Sequence, residues 1–483
     1  MKYDVIVIGG GLGGLTAGAK LAKEGKKVLL IEQHDRPGGC ATTFKRHDFT
    51  FEVGLHEMDG LDARDMKTRI FRDLGVFDRV EFLRVPEFYR FVNSRYQVTI
   101  PHDPAMAAAV LTEIFPDEES GIAAYFDQVL NARKNAQESA AQPERSVGEF
   151  MDEIIQNNDL KLILLGNLGY FHDDPYSLSL NYYAAAQGSY YQGGGNFIKG
   201  GSQVLSDFLA DQIRSHGGEV LLNHLVTGIK VVNGNAAGVY CKAVRGKDSN
   251  KMYAEADEVI SNAALPGVLD GLLPPDAARP LEKQFEGLVP GASLLTLYLG
   301  FSKPLRDCGS HFYSTFLYDD SVKNLAGIRQ NNHSDFSTRS FTFVDYSQID
   351  SGLAPEGKSV GAVCCIDYLS DWEGLAPEAY KARKSKVAED LIARLETLIP
   401  GIREYIAYSE VGTAKTVARY TMNPEGAVYG FAQTPFRVRQ EAPVLLPNLH
   451  VASAWSKTGG GFSGAIFSGY LCAMGVLRKQ SVR

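Results

Sequence analysis

Three glycines near the start of the chain, Gly9, Gly11 and Gly14, directly follow the apolar run Val5–Ile8, with the spacing of a loop that grips a diphosphate. Gly9 permits the tight turn. Gly11 leaves no Cβ where a backbone must approach phosphate, and Gly14 permits close packing of a helix on a sheet. The helix that opens here would direct free N–H groups and its positive dipole end at the phosphates. Glu32, at the end of the next apolar run, is the expected acceptor for ribose hydroxyls, and its charge would repel a 2′-phosphate. The alternative is a glycine-rich turn kept for packing. The flanking runs and Glu32 favour a dinucleotide.

These residues need a βαβ unit to hold them. Val5–Ile8 is a continuous β-branched run, the pattern of a strand buried on both faces of a parallel sheet. From Leu12 the period changes: Leu15, Ala19 and Ala22 form one stripe, with Lys20, Lys23 and Glu24 outside it, and Gly25 ends the helix. Val28–Ile31 is then the second strand. Further on, Gln203–Ser215 reads as an amphipathic helix followed by a strand at Val220–Leu222, so the first sheet gains strands after Gly200. Leu294–Leu299 and Val360–Cys365 are strands for a second domain, Lys381–Leu398 is a long helix, and the end of the chain reads strand, glycine turn, helix (Leu449–Ala452, Gly459–Gly461, Ser463–Val476). The stretch from Leu61 to Gly195 has a helical, polar texture, and Asn135–Ser146 reads as a surface connection within it. The expectation is an α/β protein: a discontinuous Rossmann-type domain of residues 1–75, 196–290 and 405–483, interleaved with an α+β substrate domain of residues 76–195 and 291–404.

With 483 residues, two or three structural units are expected, and 45% apolar and 22% charged residues are ordinary for a globular protein. The net charge of -8 is spread without a basic stripe, which argues against a nucleic-acid partner. Six cysteines without C-x-x-C spacing make a reducing cytoplasm the simplest setting. The first apolar run is too short for a signal-peptide core, and Leu160–Leu165 falls well short of the roughly 20 residues that span a bilayer.

After Glu32 come five residues and then Gly38-Gly39, a pair that resembles the extended FAD signature of glutathione-reductase and amine-oxidase type flavoproteins. A second strand–glycine–helix unit for NAD(P)H is absent from the sequence. Later segments resemble the phytoene desaturases, carotenoid isomerases and retinol saturases: Phe51–His56, Gly200-Gly201-Ser202 with Leu205, Ala256–Ala263, Leu353–Lys358, Asn423–Gly430 and Gly459–Gly464, in that order. The resemblance implies FAD extended across the fold. Its diphosphate would lie near Gly11, Leu12, Gly13, Gly14 and Leu15, its adenine side near Glu32, Gln33 and Val226, and its ring near Gly460, Gly461 and Phe462. It also implies a long apolar tunnel to the flavin. One departure stands out. Ala452-Ser453-Ala454-Trp455 replaces the Gly-Asp that many flavoproteins carry there, so backbone N–H groups, Ser453 or Ser456 would serve instead.

For catalysis, His56 is the ionisable residue to watch, either as a proton donor facing the flavin or as a structural histidine. Tyr182, Tyr183, Tyr190, Tyr191 and Phe197 would line a channel or pack a core; of these, Tyr182, Tyr191 and Phe197 are the expected substrate contacts. His172-Asp173-Asp174 reads as a solvated turn, not a metal site, and no metal is expected. Arg419 and Tyr420 are candidate substrate or flavin contacts. The leading function is FAD-dependent redox or isomerisation at carbon–carbon bonds of a lipophilic polyene, with an electron donor or acceptor the sequence does not name. Such a substrate implies an apolar entrance and contact with a membrane surface. The alternatives are an amine or porphyrinogen oxidase and, in another class, a flavin-free prenyl-binding escort of the GDP-dissociation-inhibitor type.

Overall fold

Val5, Ile6 and Val7 are fully buried because their strand, Lys2–Ile8, has a parallel neighbour on each side, Val28–Ile31 and Met252–Ser261. The computed structural model describes residues 2–245, 251–439 and 445–481. The seven-stranded sheet runs Glu219–Leu221, Val28–Ile31, Lys2–Ile8, Met252–Ser261, Asn235–Ala243, His224–Val232, with Leu449–Val451 pairing beside Met252–Ser261. Glu219–Leu221 and Leu449–Val451 are parallel to their neighbours, whereas the 224–243 hairpin is antiparallel. The first helix, Leu12–Lys23, is sandwiched between Gln203–Ser215 and the terminal helix Gly461–Ser481. Glycine makes that approach possible. A Cβ on Gly469 would fall 2.2 Å from the Gly13 carbonyl oxygen, and one on Gly18 would fall 2.8 Å from Ile213 Cδ1.

A second seven-stranded sheet has the order Ile406–Gly412, Ser293–Phe301, Ser359–Asp367, Phe341–Asp345, Ser314–Leu317, Tyr89–Val92, Gln97–Ile100. Its pairs are antiparallel except Ser314–Leu317 with Tyr89–Val92. Strand alternation sorts its two faces. Leu295, Leu297 and Leu299 pack with Leu391 and Leu395 of the helix Pro377–Leu398, while Leu294, Thr296 and Tyr298 face a large cavity. Helices between Pro104 and Gly193 form a third layer, closed by a small sheet of Met58–Asp59, Gly195–Ile198 and Phe82–Arg84.

Three expectations need correction. The 61–195 stretch is not purely helical, because Tyr89–Val92 and Gln97–Ile100 extend the second sheet by pairing with Ser314–Leu317 and each other. Residue 405 does not mark the return to the first sheet, since Ile406–Gly412 bonds to Ser293–Phe301 as an edge strand of the second. Asn135–Ser146 is not all connection: the helix Ala132–Glu138 covers its beginning.

Asn448 joins the parallel and antiparallel halves of the first sheet. Its side chain accepts from Ala236 N (2.8 Å) and donates to Ala236 O (2.8 Å) and Asp257 O (2.7 Å), and the residue is buried. Asn448→Ala strands three backbone groups, so the expected loss is roughly 1–3 kcal/mol, read as a lower urea midpoint.

Candidate functional site

One amide ties the glycine loop to the far side of the sheet. Asn262, just past the Met252–Ser261 strand, accepts from Gly11 N (2.9 Å) and donates to Ala452 O (2.6 Å). A Cβ on Gly11 would fall 2.5 Å from Asn262 Oδ1, one on Gly13 would fall 2.2 Å from Ala452 O, and one on Gly14 would fall 2.3 Å from Gly9 O. Gly11 caps the first helix without a side chain, and the first turn carries no acid. The N–H groups of Leu12, Gly13 and Gly14 therefore remain as donors. Leu15 is a correction: its N–H is spent on the Gly11 carbonyl (2.9 Å) and its side chain is fully buried. Gly13 and Gly14 lie against protein, not on the cavity wall, and can contribute only through the backbone.

Glu32 is buried, its carboxylate accepting from Gly10 N (2.6 Å) and His34 N (2.9 Å). Each oxygen keeps a lone pair for a ribose hydroxyl. Gly38 N donates to Gly10 O (2.7 Å), and Gly38 and Gly39 both have positive φ, so this pair lies directly on the diphosphate loop. Gln33 and His34 bond to the Tyr420 carbonyl, which places Tyr420 and its neighbour Arg419 at the adenosine end with Val226, away from Gly460.

From this end a cavity of ≈ 1340 Å³ runs between the two sheets to Gly460, Gly461 and Phe462 at the start of the terminal helix, then into an apolar chamber. That volume exceeds the about 300–1,000 Å³ of a single drug-sized site. The chamber takes Tyr170, Tyr182 and Tyr190 from the helical layer and Thr296, Tyr298 and Phe316 from the second sheet. Tyr191 and Phe197 are not on its surface. Tyr191 packs edge-on against Phe88 and Phe126, and Phe197 packs on Tyr346, both in the core. Tyr183 is likewise internal, bonded to Tyr125 (2.8 Å).

The segment Phe51–His56 is anchored by Glu52, which accepts from Gly54 N (3.2 Å), Leu55 N (3.1 Å), Ser202 N (2.7 Å) and Ser202 Oγ (2.7 Å). Tyr346 Oη donates to Leu55 O (3.0 Å) and Tyr313 Oη to His56 O. His56 thus reaches the chamber on a fixed backbone, its ring 5.8 Å from that of Tyr170. Burial pushes its pKa down to about 4, so the imidazole is neutral near pH 7 and has no imidazolium proton to give. Nearby, Lys67 bonds to Asp59 (2.9 Å) and Asp65 (3.0 Å), and Ser463 of the terminal helix donates to Asp59. Ser453 lines the cavity, although its Oγ already accepts from Trp455 N (3.2 Å); Ser456 bonds to Thr458 (2.9 Å) and does not reach the wall.

His172-Asp173-Asp174 is not a solvated turn. His172 and Asp173 are largely buried and bonded to each other, and Tyr368 Oη donates to Asp173 (2.7 Å). Burial works to raise the Asp173 carboxyl, but its bonds to His172 and Tyr368 hold it down at about 2. Among the described residues, no group of three or more His, Cys, Asp or Glu is arranged to hold a metal ion. Asn262, Lys67 and Tyr170 are site residues that the sequence alone does not single out; of the three, Asn262 carries a signal, its place in the Ala256–Ala263 segment.

A helix start without a cap, an acidic ribose acceptor and a cavity with room for a second ligand define a dinucleotide-binding oxidoreductase; the donors and the space fit an extended FAD. Residues 12–477 match the family model described as flavin containing amine oxidoreductase, and the chain belongs to that family. It is an FAD-dependent oxidoreductase, which sets aside the flavin-free escort reading. The chain is 28% identical to prolycopene isomerase, chloroplastic, of Daucus carota over 515 residues, covering 98% of this chain and 79% of that one. It is 25% identical to all-trans-retinol 13,14-reductase of Danio rerio, covering 99% and 86%. Among solved structures, an oxidoreductase from Methanosarcina mazei superposes with a TM-score of 0.69 at 20% identity, covering 99% of this chain and 100% of that one.

Two outcomes are expected. Gly11→Ala forces its Cβ onto the Asn262 amide, so the variant should purify without the flavin absorbance that wild type shows. His56 keeps its neutral ring down to about 4, whereas an unfolded histidine protonates near 6.5. The unfolded state then binds more protons in that interval, and stability falls as pH drops through it. Urea titrations at stepped pH should show a smaller fall for His56→Asn, with the like contribution of His102 remaining.

Proposed function

We propose that the chain acts on carbon–carbon double bonds of a lipophilic polyene or related isoprenoid, by desaturation, saturation or isomerisation. The observation that carries this reading is the continuity of the dinucleotide cradle with an apolar, aromatic-walled chamber between the sheets. The two relatives support it, since one is named for isomerising prolycopene and the other for reducing all-trans-retinol.

Bound FAD would supply hydride exchange at N5. The protein's part is binding and exclusion of water. Leu12–Gly14 N–H groups would hold the diphosphate, Glu32 the ribose, and Gly460–Phe462 the ring end at the start of the terminal helix. Tyr182, Tyr190 and Phe316 offer flat apolar faces along which a conjugated chain would lie. An electron donor or acceptor belongs to the redox versions of the reading. Peripheral contact with a lipid surface belongs to it as well: Met66 (47% exposed) and Met422 (58% exposed) line the cavity and also face outward, and no helix among the described residues is long and apolar enough to cross a membrane.

The test is anaerobic incubation of FAD-loaded protein with a panel of carotenoids and retinoids, with the flavin oxidised or dithionite-reduced, followed by chromatography of the products. A change in double-bond number or geometry supports the reading. Rapid bleaching of the oxidised flavin by primary amines, with no polyene converted, would move the assignment to an amine oxidase.

A further inference from the structure

We propose that Glu57 is the proton-exchanging group of the chamber, a carboxylic acid built into the wall beside His56 that gives a proton to substrate carbon or takes one from it. The proposal rests on the polyene reading above. Glu57 contributes to the cavity wall yet is 7% exposed. Among the described residues, neither of its carboxyl oxygens has a hydrogen-bond partner. An ionised carboxylate without donors in such a place would cost several kcal/mol, so the group must either lose its charge or find a partner in the chamber.

The room for this side chain is left by a glycine. A Cβ on Gly195 would fall 1.7 Å from Glu57 Oε2 and 2.8 Å from Val85 Cγ2, so the neighbouring strand lacks a side chain where Glu57 lies. The ionisable groups around it leave the proton on Glu57. Glu87 faces it but accepts from Tyr313 N and Ser314 N (3.2 Å), so Glu87 has donors to stabilise a charge and Glu57 has none. Asp59, on the adjoining strand, is bonded to Lys67 and Ser463. Arg84 is turned to the Gly193 carbonyl and His102 to the Val85 carbonyl. Burial first, and then repulsion from Glu87, raise the Glu57 carboxyl well above its ordinary range, with Arg84 opposing. The Tyr170 hydroxyl, in the same wall, is also buried without a partner among the described residues, and the Tyr190 hydroxyl bonds to the Glu57 carbonyl (3.4 Å). His56, one residue away, is neutral and accepts protons poorly near pH 7, which leaves Glu57 as the acid of the pair.

The chemistry balances in both directions. In saturation, with reduced flavin supplying a hydride to one carbon of the double bond, the Glu57 O–H bond would break, its proton would bond to the neighbouring carbon, and water would reprotonate the carboxylate. In desaturation, Glu57 would first give its proton to water; with a hydride passing from one carbon to oxidised flavin, the neighbouring C–H bond would break and the Glu57 carboxylate would take that proton, which restores the neutral acid.

The test compares FAD-loaded wild type with Glu57→Gln, whose neutral amide matches the neutral acid in shape, and with Glu57→Asp. The infrared difference spectrum near neutral pH should show the C=O band of a protonated carboxyl in wild type and its loss in Glu57→Gln. With flavin content unchanged, Glu57→Gln should lower kcat by about 10²–10⁴-fold at similar KM, and Glu57→Asp should restore part of it. Product formed in D₂O by saturation should carry deuterium at the protonated carbon. Absence of the carboxyl band, or wild-type kcat and pH profile in Glu57→Gln, overturns the proposal. A wild type that shows the band but converts no polyene overturns the substrate reading and upholds the neutral acid.

Discussion

The amide of Asn262 is the interaction on which the rest of this architecture depends. It accepts from the glycine loop and donates to the residue just past the Leu449–Val451 strand of the first sheet, so residues 11 and 452 are fixed through one side chain. The spacing is so tight that Gly11 and Gly13 have no room for a Cβ. The first helix must then begin without a side-chain cap, and its first N–H groups remain free as anion donors. Cofactor affinity and close packing are therefore two results of the same absence of side chains.

A second anchor serves the chamber as the first serves the cradle. Glu52 collects four hydrogen bonds from Gly54, Leu55 and Ser202, joining the Phe51–His56 segment to the turn before Gln203–Ser215. Tyrosines from the second sheet's side of the molecule bond to the next two carbonyls, Leu55 and His56. The chamber wall is thus rigid backbone presenting His56 and Glu57, with ring faces opposite. A substrate bound there would meet few water molecules and few charges.

Much of this was legible from the sequence, and the reasons differ by element. Val5–Ile8 and Val28–Ile31 could be read because central parallel strands are buried on both faces and so lack polar alternation. Gln203–Ser215 showed its stripe. Tyr89–Val92 and Gln97–Ile100 did not, because four-residue strands with an arginine or a glutamine in them look like connection until their partner is known. Within the tyrosine cluster the helical period separates the wall residues from the core residues, and composition alone does not. In the helix Leu180–Gly193, Tyr182, Ala186 and Tyr190 lie on the cavity side, while Tyr183, Gln187 and Tyr191 lie on the packed side. Glu57 and the His172–Asp174 turn carry no such signal. An acidic residue in a polar stretch reads as surface, and only the tertiary fold shows it enclosed.

The cradle draws on two segments far apart in the sequence, Gly9–Gly14 and Leu449–Gly461. During synthesis the glycine loop emerges more than four hundred residues before the Ala452 carbonyl that completes the Asn262 bridge. Over that interval the central sheet is unfinished and the apolar chamber open, the condition in which chaperones are most needed. FAD can lock the fold only once Ala452 has been made, which makes cofactor supply a factor in how much protein survives as well as in how much is active.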